Sequence, residues 1–212
     1  QIEHSEWINT EEAFPNFEFA RSLMQQVGRT GSILIWSHHE NTILRDILAQ
    51  MEKYNHSDSE LEEWLTWITN DKENGRPGNL VDMDKLARMG YFHPYAGGRT
   101  SIKVTLPAVL QSFTSPRIEQ WLTEFEQGVN LFSSNGDGVV SPYKLLPAAN
   151  EIDEYEVNEG TAAMRAYQDM MYGFASQDLG KQSAIRNALL KYCKLDTLAM
   201  VIIWEHWRDL IS

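Results

Sequence analysis

A phenol and a carboxylate stand four residues apart near the C-terminus, at Tyr192 and Asp196. The apolar pattern around them predicts a long helix, and residues four apart on a helix share one face, with Cβ atoms about 5–6 Å apart. Both side chains can therefore point at one ligand. A carboxylate that holds a metal ion, beside a phenol that orients a water, is suited to the hydrolysis of phosphodiesters. Taken alone, such a pair is more often an ordinary surface contact, so its meaning depends on a second acidic element.

That second element follows the most strand-like run of the chain, residues 32–36. Ligands in open α/β sheets bind beyond the carboxyl ends of the strands, and Glu40 stands there, at the start of a predicted helix. The alternative is that Glu40 only supports this helix, because the helix dipole favours an acid in the first turn. Ser37 and His39 flank the same position as possible cleft residues. Asp82 ends another short apolar run, where it either lines the cleft or caps the next helix, and we favour the cap.

Three polar residues follow the glycine pair at 97–98: Arg99, Ser101 and Lys103. Side chains and backbone N–H groups in such a loop are typical contacts of nucleic-acid phosphates. A solvated loop without a ligand explains the same residues equally well. We therefore keep both interpretations.

The coarse pattern predicts helices separated by few strands. Strands are expected within 1–10 and at 32–36 and 80–83, and helices at about 16–28, 39–54, 58–70, 101–113, 116–127, 158–173 and 181–211. This order predicts an α/β fold that has too few strands for a complete sheet and a helix-rich C-terminal half.

The composition limits the choice of function and compartment. The chain has 212 residues, which suits a single domain, and its net charge of −12 disfavours a broad nucleic-acid-binding surface without excluding a nuclease. The single cysteine, Cys193, cannot form an internal disulfide, so we expect a reducing, cytoplasmic compartment. No apolar run approaches the roughly 20 residues of a membrane span, so no membrane association is expected. The chain begins at Gln1 without an initiator Met, and we expect it to be a fragment of a longer protein.

The two acidic elements together resemble the second and third motifs of the DEDD exonuclease superfamily, whose fold is ribonuclease H-like. In the second motif Glu40 stands at the acid and His39 at the aromatic residue, while Ser37 is the polar residue nearest to the position of the motif's Asn. Tyr192 and Asp196 match the tyrosine version of the third motif.

The resemblance extends to a bacterial domain family of unknown function, whose domain often follows a RecB-like nuclease region in larger proteins. The segments that recur in the same order are 31–35, 80–82, 91–94, 98–103, 159–163 and 192–200. The resemblance implies a single ribonuclease H-like, exonuclease-like domain over residues 1–212, with an N-terminally truncated sheet.

The resemblance also implies a function, namely metal-dependent 3′–5′ exonuclease hydrolysis of nucleic acid, at a single-stranded 3′ end. Of two Mg²⁺ or Mn²⁺ ions, Asp196 would hold one, and Glu40 would act as an outer or direct ligand. Tyr192 would orient the attacking water, and the upstream RecB-like region would be the partner. The Asp-x-Glu of the superfamily's first motif is absent, and Glu replaces Asp in the second motif. We therefore expect weak or no activity from the isolated chain. The alternative is a non-catalytic nuclease-fold module that packs on or recruits a partner nuclease domain, and a helical interaction protein without a site is disfavoured by the extent of the resemblance.

Overall fold

The computed structural model describes residues 2–112, 115–126, 128–136, 138–146 and 160–211. The chain groups into two compact units, Gln1–Tyr91 and Phe92–Ser212, called unit 1 and unit 2 below. Each unit is described by itself. The expectation of one domain over residues 1–212 stays a prediction.

Unit 1 combines helices with a short parallel sheet. Its elements are α1 (Asn16–Val27), β1 (Ile33–Ile35), α2 (His39–Lys53), α3 (Ser59–Ile68), β2 (Leu80–Asp82) and α4 (Met83–Gly90). β1 pairs in parallel with β2, with Ile33 opposite Leu80 and Ile35 opposite Asp82. The carboxyl ends of both strands therefore meet at one edge, which is the edge that carries the predicted cleft residues.

The core of unit 1 lies among its first three helices. Trp64 of α3 is fully buried, and its indole Nε1 donates a hydrogen bond of 2.8 Å to the carbonyl of Gly28. Ile47 of α2 and Leu61 of α3 are buried with it. Burial of such side chains stabilises the folded state by about 1.5–3 kcal/mol each, which explains why these helices turn their apolar faces into the core.

The expected strand within residues 1–10 is wrong. Residues 2–10 contain neither helix nor strand, and β1 and β2 form a two-stranded sheet in which these residues take no part. A strand needs a partner for its backbone groups, and this segment packs through side chains instead, with the Trp7 ring 5.5 Å from the Phe19 ring.

Unit 2 is mostly helical. Its elements are a 3₁₀ turn (Pro94–Ala96), α5 (Ile102–Ser112), α6 (Pro116–Thr123), β3 (Ser134–Asn135), β4 (Gly138–Val139), α7 (Pro142–Leu145), α8 (Gly160–Tyr172), a second 3₁₀ turn (Phe174–Gln177) and α9 (Leu179–Leu210). β3 and β4 are antiparallel. The 32-residue α9 packs against α5 and α8 and buries Leu195, Ala199 and Ile202. Beyond Gly180 it contains no Gly or Pro that would interrupt it.

The described residues thus form nine α-helices and two small sheets, a helix-rich mixture of α and β structure. The mixed α/β composition is confirmed, and the ribonuclease H-like fold stays a prediction. Over the ranges that the structure covers, no helix is both long and apolar enough to span a membrane.

Candidate functional site

Helix α9 places Tyr192 and Asp196 side by side. The helix turns its apolar face, including Leu195 and Ala199, into unit 2, and this rotation leaves Tyr192 and Asp196 half-buried at the border of the core. The neighbouring Tyr192 hydroxyl lowers the pKa of the Asp196 carboxyl, as a hydrogen-bond donor does. The spacing of four residues therefore produces the contact expected for one helical face.

A second phenol reaches the same carboxylate from a distant part of the chain. The Tyr143 hydroxyl of the short α7 donates to Asp196 Oδ1 at 2.6 Å, over a sequence separation of 53 residues. The ring centroids of Tyr143 and Tyr192 lie 6.3 Å apart. Asp196 is therefore held between two phenols.

Lys103, in the first turn of α5, completes this group. Its Nζ lies 5.0 Å from the centroid of the Tyr192 ring and 5.7 Å from that of Tyr143. At this range an ammonium is attracted to the negative face of an aromatic ring. Its charge also favours the ionised form of Asp196. We call Lys103, Tyr143, Tyr192 and Asp196 the α9 polar cluster.

Burial sets the protonation states of this cluster. It raises the pKa of Asp196, and the Tyr143 hydrogen bond, the Lys103 charge and the Tyr192 hydrogen bond act in the opposite direction. Burial and the neighbouring Asp196 charge raise the pKa values of both Tyr143 and Tyr192 above the ordinary range of a phenol. Tyr192 is therefore a hydrogen-bond donor at neutral pH and not a base.

The cluster does not by itself suit a hard divalent cation. Mg²⁺ and Mn²⁺ sites depend on several oxygen ligands and on the number of negative charges. The α9 polar cluster offers one carboxylate, and Lys103 balances its charge. Within the described ranges no group of three or more His, Cys, Asp and Glu side chains is placed to hold a metal ion.

In unit 1 the predicted cleft residues Ser37 and Asp82 meet at the carboxyl ends of the strands. The Ser37 backbone N–H donates to Asp82 Oδ1 at 3.0 Å. The same oxygen accepts from the Lys85 backbone N–H at 3.2 Å and so caps α4, which confirms the favoured interpretation of Asp82 as a cap. Ser37 has a φ of 77°, in the left-handed region that non-glycine residues rarely adopt.

His39 and Glu40 lie exposed in the first turn of α2. Glu40 belongs to unit 1, whereas Tyr192 and Asp196 belong to unit 2. A metal site shared by Glu40 and Asp196 therefore stays a prediction.

The three candidate phosphate contacts lie around the start of α5 but have different local roles. Arg99 Nε donates to the carbonyl of Ala96 at 3.4 Å. The Ser101 carbonyl accepts from the backbone N–H groups of Val104 and Thr105, both at 2.8 Å, and so begins the helix. Lys103 belongs to the α9 polar cluster. Contact of these three residues with nucleic acid stays a prediction.

Sequence reasoning missed Tyr143. It lies in the stretch 128–157, where the pattern has little regularity, and no local spacing links it to Asp196. The tyrosine type itself was the available signal, because a phenol is a common partner of a carboxylate.

Comparison with protein families matches residues 1–101 to a family described as "Domain of unknown function (DUF2779)". The matched range covers unit 1 and the first ten residues of unit 2, and it ends before Lys103. No curated protein and no solved structure matches the chain significantly. Over residues 1–101, therefore, the chain is similar to this family of unknown function.

Proposed function

We propose that this chain is part of a metal-dependent 3′–5′ exonuclease-type nuclease domain, to which it contributes Tyr192 and Asp196, and that it is weak or inactive alone. The observation that supports this most is the half-buried Asp196 carboxylate, which accepts from the Tyr143 hydroxyl at 2.6 Å and lies one helical turn from Tyr192. Burying a carboxylate is costly unless it is well hydrogen-bonded. Ionisable residues in such surroundings are concentrated at functional sites.

The proposal also explains why the isolated chain would be weak. A two-metal site needs more negative charge than Asp196 supplies, and the further carboxylates implied by the resemblance are Glu40 and the acids of the absent first motif. The proposed substrate is a single-stranded 3′ end, and the proposed partner is the upstream RecB-like nuclease region.

A second candidate is a non-catalytic nuclease-fold module that packs on or recruits a partner nuclease domain. It is favoured by the balanced charge of the α9 polar cluster. The Tyr143 hydroxyl donates to Asp196, and Tyr192 and the Lys103 charge favour its ionised form, without a metal ion. In this case the cluster stabilises unit 2 and takes no part in hydrolysis.

Labelled oligonucleotides distinguish the two candidates. The 212-residue chain is incubated with 3′-labelled single-stranded DNA or RNA and Mg²⁺ or Mn²⁺, and we expect at most trace hydrolysis. Rapid hydrolysis that Asp196→Asn abolishes would contradict the predicted weakness of the isolated chain.

The longer protein implied by the resemblance is then assayed with Asp196→Asn. The exonuclease proposal expects a loss of at least about 100-fold, because even residues that only support metal ligands typically contribute 10- to 100-fold. Asp209→Asn is the matched control, because Asp209 is exposed on the same helix. Wild-type hydrolysis by a correctly folded Asp196→Asn protein would favour the non-catalytic module.

A further inference from the structure

The position of Lys103 has a consequence for the kind of cation that Asp196 accepts. The ammonium lies over the faces of two phenols, 5.0 Å from the centroid of Tyr192 and 5.7 Å from that of Tyr143, and the Tyr143 hydroxyl donates to Asp196 Oδ1 at 2.6 Å. Lys103 is half-buried. Its charge is close enough to Asp196 to lower the pKa of that carboxyl.

A divalent ion at Asp196 would have to share this space with Lys103. Two positive charges near one carboxylate repel each other, and the repulsion is strong where water is partly excluded. The Tyr143 hydroxyl also occupies one acceptor position of Asp196 Oδ1, which leaves fewer positions for a metal ion.

We propose that Lys103 is the built-in counter-ion of Asp196 and closes the α9 polar cluster to Mg²⁺ and Mn²⁺ while its ammonium is in place. The proposal concerns the chain with Lys103 in place: if Asp196 binds a metal ion in the proposed nuclease, the Lys103 ammonium must first move away from it. The proposal assigns Lys103 an internal role, which differs from both interpretations that the sequence left open, a phosphate contact and a solvated loop.

Binding of Mn²⁺ tests this directly, with free Mn²⁺ measured by electron paramagnetic resonance. In the full chain, Lys103→Met should raise the Mn²⁺ affinity by about tenfold or more. The substitution removes the repulsion between the ammonium and the bound ion, and a unit charge at short range changes a binding constant by at least that factor. The gain should disappear in Lys103→Met combined with Asp196→Asn. In the wild-type background, Asp196→Asn should leave Mn²⁺ binding unchanged.

Two matched controls separate local from general effects of charge. Lys144→Met changes the net charge equally, and Lys144 is exposed on α7 next to Tyr143, so its Mn²⁺ affinity should stay near that of the wild type. Lys103→Arg keeps the charge and should keep the weak binding.

Other results would overturn the proposal. These are wild-type Mn²⁺ binding that Asp196→Asn removes, or a folded Lys103→Met protein without increased affinity. If Lys103→Met alone does not fold, the added Asp196→Asn should restore folding, because it removes the uncompensated carboxylate. Failure of the double variant to fold would also count against the counter-ion role.

Discussion

At the scale of single residues, Asp196 illustrates how a charged side chain is kept half-buried. Its desolvation raises the carboxyl pKa, and three neighbours from three helices oppose that shift. Removal of any one of them leaves the carboxylate less compensated. The stability of unit 2 should therefore depend on side chains that are far apart in sequence.

The Tyr143 hydroxyl is the neighbour with the shortest measured contact, 2.6 Å. Tyr143→Phe keeps the ring and removes the donor, and it should lower the free energy of unfolding by about 1.5–3 kcal/mol, the range for hydrogen bonds to charged groups. Urea denaturation measures the change. Tyr95→Phe is the control, because Tyr95 is 66% exposed and should change stability little. Equal stability of both variants would remove the energetic role assigned to Tyr143.

His206 should make the protein less stable in mild acid. It is buried on α9, and burial together with the charge of His93 holds the pKa of His206 below its usual value of 6.5, while Asp209 acts in the opposite direction. Below about pH 6.5 the unfolded chain therefore binds a proton that the folded protein resists, so the free energy of unfolding falls as the pH falls.

Denaturation curves between pH 8 and 5 measure this slope. His206→Gln should flatten it below about pH 6.5, whatever its effect on absolute stability. An unchanged slope in His206→Gln would assign the acid sensitivity to other groups.

The sequence predicted the part of the α9 polar cluster that depends on local geometry. Tyr192 and Asp196 were paired by their spacing alone, and the contact is present. Tyr143 was not predictable, because its contact spans 53 residues and depends on tertiary packing. For Lys103 the sequence left a phosphate contact and a solvated loop open, because a glycine pair before a lysine carries no information about the rings near its ammonium.

At the scale of elements, the sequence predicted the helices better than it predicted the strands. The apolar spacing predicted a helix at 16–28 and another at 39–54, and the structure has Asn16–Val27 and His39–Lys53. Helical hydrogen bonds are local, so the pattern suffices. The strand expected within 1–10 failed because a strand depends on a partner elsewhere. The cap of α3 is Asp58, whose carboxylate accepts from the Leu61 backbone N–H.

The cap of α9 has a measurable role. Asp178 is exposed and its carboxylate accepts from the backbone N–H groups of Gly180 at 2.9 Å and Lys181 at 3.1 Å. Asp178→Ala should therefore lower the free energy of unfolding by about 0.5–2 kcal/mol, whereas Asp178→Asn should be nearly neutral, because asparagine caps as well as aspartate. Urea denaturation compares them, and an Asn variant as unstable as the Ala variant would point to charge instead of capping.

At the scale of the whole molecule, each unit has buried apolar side chains of its own. Leu65 of unit 1 and Ile202 of unit 2 are both fully buried. The family match over residues 1–101 follows unit 1 and ends soon after its boundary. From this correspondence we infer that unit 1 folds and unfolds separately from unit 2.

Hydrogen exchange tests that inference. Leu65→Ala should destabilise its surroundings by about 2–5 kcal/mol and reduce protection mainly in residues 1–91. Ile202→Ala should reduce protection mainly in residues 92–212. Equal loss across the chain in both variants would show that the two units unfold together.

The backbone strain at Ser37 predicts which substitutions selection should recover at this position. A serine at φ 77° adopts a backbone conformation that glycine adopts at lower cost, and it does so beside Asp82 at the end of two strands. Random mutagenesis followed by selection for heat resistance alone should therefore recover Ser37→Gly. Selection for the natural activity should retain serine if its hydroxyl serves that activity. Comparison of the two selections therefore tests whether the carboxyl ends of β1 and β2 take part in function.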